Sequence, residues 1–127
     1  MAVSIGSTPQ VALQFVAPKA TAVRLTRPAD VPLAVQSGRA DVMLEMVING
    51  VLAKARNPDI GTLVIPNPVL TFPSYVGLRI ESDRRFESFV HWWAEWNRLN
   101  GNTEKWIKQS LIDNGVPPDQ IPDRLHF

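Results

Sequence analysis

The chain has 127 residues, of which 45% are hydrophobic and 20% charged, so its composition is that of one folded domain and not of a disordered segment. Its 13 basic and 12 acidic side chains nearly cancel, which argues against a nucleic-acid binder, and the lack of cysteine excludes disulfides, thiolate metal sites and cysteine nucleophiles. Because the sequence has neither a run of about 18 apolar residues nor a charged segment leading into an apolar one, we expect no membrane insertion and no signal peptide, and we assign no cellular location.

The first part of the chain alternates predicted strands and helices. A strand at residues 2–5 ends at Gly6, and Ser7 is a candidate N-cap for a helix with Pro9 in its first turn. The later predicted elements are a strand at 20–25, a helix from Pro28 to Gly38, a strand at 40–46, a helix at 47–56, and strands at 60–65 and 75–80. This alternation predicts an α/β fold with a mostly parallel sheet and helices on both faces.

The last third of the chain is predicted to be helical. Helices at 83–99 and 103–113 follow the last predicted strand, joined at residues 100–102. The first of them carries two overlapping apolar stripes at helical spacing, a face too wide for one neighbouring element. The candidate interface residues on it are Phe86, Phe89, Trp92, Trp93 and Trp96. We therefore predict an α/β lobe at 1–80, a helical extension at 81–115, and a proline-rich tail at 116–127 that is either extended or disordered.

The candidate ligand site is the turn Gly6-Ser7-Thr8, where the first strand meets the first helix. Ligands of open α/β sheets bind at the carboxyl ends of strands, and a helix N-terminus offers free N–H groups to an anion such as a carboxylate. The alternative is that Ser7 is an ordinary N-cap and Thr8 an ordinary first-turn residue. Glu45, near the end of the predicted third strand, is expected at the same sheet edge as a partner for an amino group, or else is a solvated strand end.

Four segments in order resemble the periplasmic solute-binding proteins of family 3, the amino-acid-binding type. The segments are Val3 to Thr8, similar to a "G-S/T-T" turn; Ser37 to Asp41, similar to "G-R-x-D"; Tyr75 to Arg79, similar to "Y-G-I-A-V"; and Leu99 to Trp106, similar to the last two helices. The resemblance extends to about Gly115. It implies the second lobe of such a protein together with its C-terminal helices.

The resemblance also implies a ligand and a missing partner. It assigns the α-carboxylate of an amino acid to Ser7 and Thr8. The α-amino group would go to the position of Met46, where the family has an aspartate; here Glu45 lies one residue earlier. The family's first lobe would precede Met1, so this chain would hold a weak half-site, and its C-terminal helices would be covered by their own sheet or by a second copy.

Three other functions are less consistent with the sequence. A cyclohexadienyl dehydratase-like activity, known from relatives with this fold, would draw on Asp41, Glu45 and His91 as acid-base groups, but we expect no catalytic residue because half of any closed pocket is missing. His91 and Glu95 form a helix-surface pair and not a metal site, so neither metal nor cofactor is expected. Arginines and lysines interleaved with tryptophans are better explained as solvated helix faces than as a nucleic-acid surface. The main prediction is therefore a lobe that recognises a small carboxylate or amino-acid-like ligand, and the alternative is an interaction module that homodimerises through the tryptophan helix.

Overall fold

The computed structural model describes residues 1–122 and divides the chain into two compact units, Met1–Phe72 and the part that begins at Pro73. The first unit contains β1 (Ala2–Ser4), α1 (Thr8–Val16), β2 (Val23–Leu25), α2 (Asp30–Gln36), α3 (Val47–Arg56) and a 3-10 turn (Pro58–Ile60). The second contains α4 (Arg85–Leu99), α5 (Asn102–Asp113) and a 3-10 turn (Pro118–Gln120). The three-part division predicted from the sequence stays a prediction.

The sheet is small and parallel. β1 pairs with β2 in the register Ala2 to Val23 and Ser4 to Leu25. On the other side of β1, Ala2 forms a parallel bridge with Met43: the Ala2 N–H donates to Val42 O at 2.7 Å, and the Leu44 N–H donates to Ala2 O at 3.0 Å. β1 therefore lies between β2 on one side and the Met43 bridge on the other. The α/β class predicted from the sequence is confirmed.

The prediction of three further strands is wrong within the described residues. The strand predicted at 40–46 is reduced to the single bridge at Met43, and neither 60–65 nor 75–80 forms a strand. In the described chain no backbone-to-backbone hydrogen bond involves residues 61–83. Apolar and β-branched residues favour a strand, but a strand forms only where a neighbouring strand offers an unpaired edge. In the described chain neither 60–65 nor 75–80 has such a backbone partner.

A compact cluster holds the first unit together. Its buried members come from β1, β2, α2 and the turn after α2: Ala2, Leu25, Val31, Ala34 and Ala40. Gly38, with φ of +72°, adopts the left-handed conformation that ends α2, and the Ala40 N–H then donates to Ala34 O at 3.0 Å. After this turn the chain returns beside β1, where Met43 bridges Ala2.

In the second unit, α4 and α5 form a helical hairpin. Gly101, with φ of +70°, makes the turn between them. Asn97 is 3% exposed; its Nδ2 donates to Trp93 O at 2.8 Å and its Oδ1 accepts from Asn102 Nδ2 at 3.0 Å. The rings of Trp93 and Trp106 stack with centroids 6.0 Å apart. The two helices are thus joined near the turn by the hydrogen bond between Asn97 and Asn102, and farther from it by the stacked tryptophan rings.

The predicted tail is partly described. Val116 and Ile121 are buried, the Val116 N–H donates to Leu111 O at 3.0 Å, and the 3-10 turn lies between them. The rest of the predicted tail, residues 123–127, lies outside the described part of the chain.

Candidate functional site

The turn predicted to hold a carboxylate is engaged in capping α1. Ser7 is the N-cap: its Oγ donates to Ser4 O at 2.6 Å and accepts from the Gln10 N–H at 3.3 Å. Gln10 reaches back, with Oε1 accepting the Gly6 N–H at 2.7 Å, in the manner of a capping box. What the described chain leaves without a partner at this turn is the N–H of Ser7 and the N–H and hydroxyl of Thr8.

Glu45 and Met46 precede α3 at the same edge of the sheet. Because the Met43 bridge is parallel to β1, the residues after Met43 and those after Ser4 emerge from one end of the sheet. Glu45 Oε2 accepts from Asn49 Nδ2 at 3.0 Å, and Met46 is the N-cap of α3 without a side-chain hydrogen bond. The parallel order therefore brings the Ser7 turn and Glu45 to a common edge, but within the described chain no hydrogen bond or ion pair joins them.

Two open depressions of the surface lie away from this edge. One, of about 540 Å³, runs along α2 between Arg27 and Arg39. Arg27 there makes a two-point ion pair with Asp30, at 2.9 and 3.0 Å, and so is not free for an anion. The other, of about 470 Å³, follows α5 from Gly101 to Ile112. Both are wide open, and neither includes Ser7, Thr8 or Glu45.

The candidate acid-base residues Asp41, Glu45 and His91 do not come from one unit. Asp41 and Glu45 belong to the first unit and His91 to the second. The His91 ring meets Trp92 edge-on, with centroids 5.6 Å apart, and lies on the exposed side of α4. Among residues 1–122, no cluster of three or more histidine and carboxylate side chains could hold a metal ion.

Five exposed aromatic side chains lie on α4. We call Phe86, Phe89, Trp92, Trp93 and Trp96 the aromatic surface; each of these side chains is between 49% and 69% exposed. The covered side of the same helix is occupied instead by Asn97, which is buried, and by Val90 and Ala94, which are half-buried. The hairpin with α5 thus covers only one side of the apolar face of α4. Phe89 and Trp96 have no partner ring among the described residues, and Trp92 meets only the edge of the His91 ring on the same helix.

The charges that border the aromatic surface are paired within α4 or at its start. Arg84 pairs with Glu87, Arg85 with Asp83 at 2.5 Å, and Arg98 with Glu95 at 2.7 Å. Hydrogen bonds from these guanidinium groups hold the pKa values of Asp83, Glu87 and Glu95 below their ordinary values. Three arginines and three carboxylates leave the segment 83–99 without net charge, apart from His91.

Two residues that hold the α4–α5 hairpin together, Asn97 and Trp106, are not among the residues predicted from the sequence. Asn97 continues the stripe of Val90 and Trp93 at helical spacing, and a polar residue within an apolar stripe is the signal that could have marked it as a buried hydrogen-bonding group. Trp106 gave no comparable signal, because its stacking on Trp93 depends on how α5 turns back along α4.

No family model, curated protein or solved structure matches the chain. The resemblance to family 3 solute-binding proteins therefore remains a prediction. Within residues 1–122, none of the helices has the length and apolar character needed to span a bilayer.

Proposed function

We propose that this chain is an interaction module that associates with a second copy of itself through the aromatic surface of α4. The observation that carries the proposal is the exposure of Phe86, Phe89, Trp92, Trp93 and Trp96 on one helix. A contiguous apolar patch larger than a few hundred Å² is uncommon on a monomeric protein and marks an interaction site. Tryptophan is also the side chain most often found at the energetic centre of interfaces.

The area of the patch supports this proposal. Aromatic side chains bury about 150–250 Å² each, so the aromatic surface and its neighbour Trp106, at the observed exposures, present on the order of 700 Å². A stable interface needs about 800 Å² from each partner. Leu99, 69% exposed at the end of α4, extends the patch further.

The charges around the patch favour a second copy over other partners. A surface without net charge does not repel its own image, whereas a polyanion or an anionic membrane is attracted by an excess of positive charge that segment 83–99 lacks. Because the arginines already have carboxylate partners, they would have to break ion pairs to bind phosphates.

The test is the molar mass in solution across a concentration series, measured by light scattering. We expect a monomer–dimer equilibrium for the natural chain and a monomer for the double variant Trp92→Ala, Trp96→Ala. Phe15→Ala is the matched control, because Phe15 is 72% exposed on α1 but lies in the other unit. A natural chain that stays monomeric at every concentration, or a double variant that still dimerises, refutes the proposal; binding to anionic vesicles without dimerisation assigns the surface to lipid.

A second candidate function is the weak binding of a small carboxylate at the edge of the first unit, as the second lobe of a family 3 solute-binding protein would. The common edge of the Ser7 turn and Glu45, with the Thr8 N–H and hydroxyl unpartnered, favours it. Affinity for small ligands depends on enclosing them, and this edge is open.

Its test is amide chemical-shift mapping with an amino acid and, as control, the corresponding amino-acid amide. Saturable shifts at Ser7 and Thr8 that need the carboxylate, and that Thr8→Ala weakens, are expected. The absence of shifts at the highest ligand concentration refutes carboxylate binding, and tight binding by the isolated chain refutes the half-site.

A further inference from the structure

The exposed apolar positions of α4 have the spacing of a helix-pairing seam. Phe89, Trp92, Trp96 and Leu99 are separated by three, four and three residues, and all four are at least 60% exposed. Alternating steps of three and four residues keep side chains on the line along which two helices pack as in a coiled coil. A helix with the same seam is therefore the partner that fits this face, and a second copy supplies one.

The two flanks of this seam differ in polarity. On one side lie Phe86 and Trp93, both apolar and both about half exposed or more. On the other side lie Ser88 and Glu95, which are polar. The helix therefore has an apolar edge and a polar edge on either side of the seam.

Taking the proposed self-association as given, we infer that two copies of α4 pair antiparallel, with the two Trp93 side chains facing each other near the two-fold axis. In a parallel pair each flank lies against the opposite flank of its mate, so Trp93 would face the Glu95 edge of the second copy. An antiparallel pair instead sets the apolar flanks against each other and the polar flanks against each other. It also opposes the two helix dipoles, which a parallel pair would align.

The antiparallel pairing specifies contacts along the seam. Phe89 of each copy meets Leu99 of the other, and Trp92 meets Trp96, so both ends of the seam are closed by the same pair of residues. Trp106 already stacks on Trp93 in each copy, at 6.0 Å between centroids. Four tryptophans therefore line up across the axis, and this cluster is the centre of the interface.

The experiment uses the absence of cysteine, which makes every introduced thiol unique. The variants Arg85→Cys and Asn100→Cys carry pyrene at opposite ends of α4, which spans about 22 Å over 15 residues. Excimer emission, which needs two pyrenes in contact, is expected when the two labelled chains are mixed and not when either is alone. Dimers that give an excimer with one variant alone are parallel, and dimers that give none in any sample pair through another surface; both outcomes overturn the inference.

Two controls separate the possible failures. A natural chain that is monomeric by light scattering refutes the proposed function itself, whereas a dimer with the wrong excimer pattern refutes only the orientation. Because Asn100 Nδ2 donates to Trp96 O at 2.7 Å, Asn100→Cys can loosen the last turn of α4. Helicity is therefore checked by circular dichroism before the labelled chains are mixed.

Discussion

Ser7 shows, at the scale of one residue, how a predicted ligand group can be committed to its own helix. Its hydroxyl donates to Ser4 O and accepts from the Gln10 N–H, so binding a carboxylate through this hydroxyl would break the cap. Thr8, beside it, is exposed and has no such commitment in the described chain. Two neighbouring hydroxyls that look equivalent in the sequence therefore differ in what they are free to do.

This difference predicts the effect of two alanine substitutions. Ser7→Ala removes the N-cap and should destabilise the first unit by about 1 kcal/mol, whereas Thr8→Ala should change the free energy of unfolding by less than about 0.5 kcal/mol. Urea denaturation followed by circular dichroism measures both. Equal effects of the two substitutions would contradict the assignment of Ser7 as the cap.

Gly50 allows a second prediction at this scale. It lies inside α3 without a positive φ, and a Cβ there would come within 3.1 Å of Leu63 Cδ1, the end of a side chain that can rotate away. Gly50→Ala should therefore stabilise the first unit by about 0.5–1 kcal/mol, because alanine is the better helix former. Gly38→Ala, at φ of +72°, should destabilise the same unit and is the control in the same denaturation experiment. A loss of stability on Gly50→Ala would mean that Leu63 is held in place.

At the scale of elements, the helices were more predictable than the strands. The predictions of a helix at 47–56 and of a first helix with Ser7 as its N-cap are confirmed. A helix makes its backbone hydrogen bonds within one segment, and its ends carry local sequence signals. A strand is completed only by its neighbour. Residues 75–80 have the composition of a strand, yet nothing in their own sequence states whether an edge is available to them.

The candidate site follows the same rule. The common edge of the Ser7 turn and Glu45 could be expected, because parallel strands end at the same side of a sheet. That Gln10 returns to the Gly6 N–H, and that Asn49 contacts Glu45, depends on rotamers that the sequence pattern does not specify. The sequence therefore predicts which residues meet at this edge of the sheet. It does not predict which of their hydrogen-bonding groups stay free for a ligand.

The ion pairs of α4 predict how acid acts on the element. The pKa values of Glu87 and Glu95 lie below the ordinary value of 4.5, so their stabilising contribution is complete above that pH and is lost as the pH falls through the lower folded-state values. Protonation of Glu87 and Glu95 leaves Arg84 and Arg98 without counter-charges. Two copies of α4 then repel each other, and the dimer should dissociate as the pH falls through the lowered pKa values of these two carboxyl groups.

Sedimentation equilibrium at several pH values measures this dissociation. The double variant Glu87→Gln, Glu95→Gln should show weakened association already at neutral pH. A dimer that is unchanged from neutral pH to pH 3 would exclude a role for these pairs.

At the scale of the whole molecule, self-association should be visible in the tryptophan fluorescence. All four tryptophans belong to α4 and α5, and each is at least 49% exposed. Raising the protein concentration should shift the emission maximum to shorter wavelength, because rings leave water as copies pair. The variant Trp92→Ala, Trp96→Ala should show no such shift while Phe15→Ala keeps it; emission independent of concentration in the natural chain would contradict burial of the rings.

Within the described chain, residues 61–83 form no backbone-to-backbone hydrogen bonds, and this makes the segment a candidate site of proteolytic cleavage. Proteases bind their substrates as extended chains with unpaired amides, and the boundary between the two units, after Phe72, lies inside this segment. Cleavage there would cut through neither a helix nor a strand, leaving the buried cluster around Ala2 in one fragment and the tryptophan hairpin in the other. The enzyme that nicks this chain first would therefore separate its two candidate functions into two pieces.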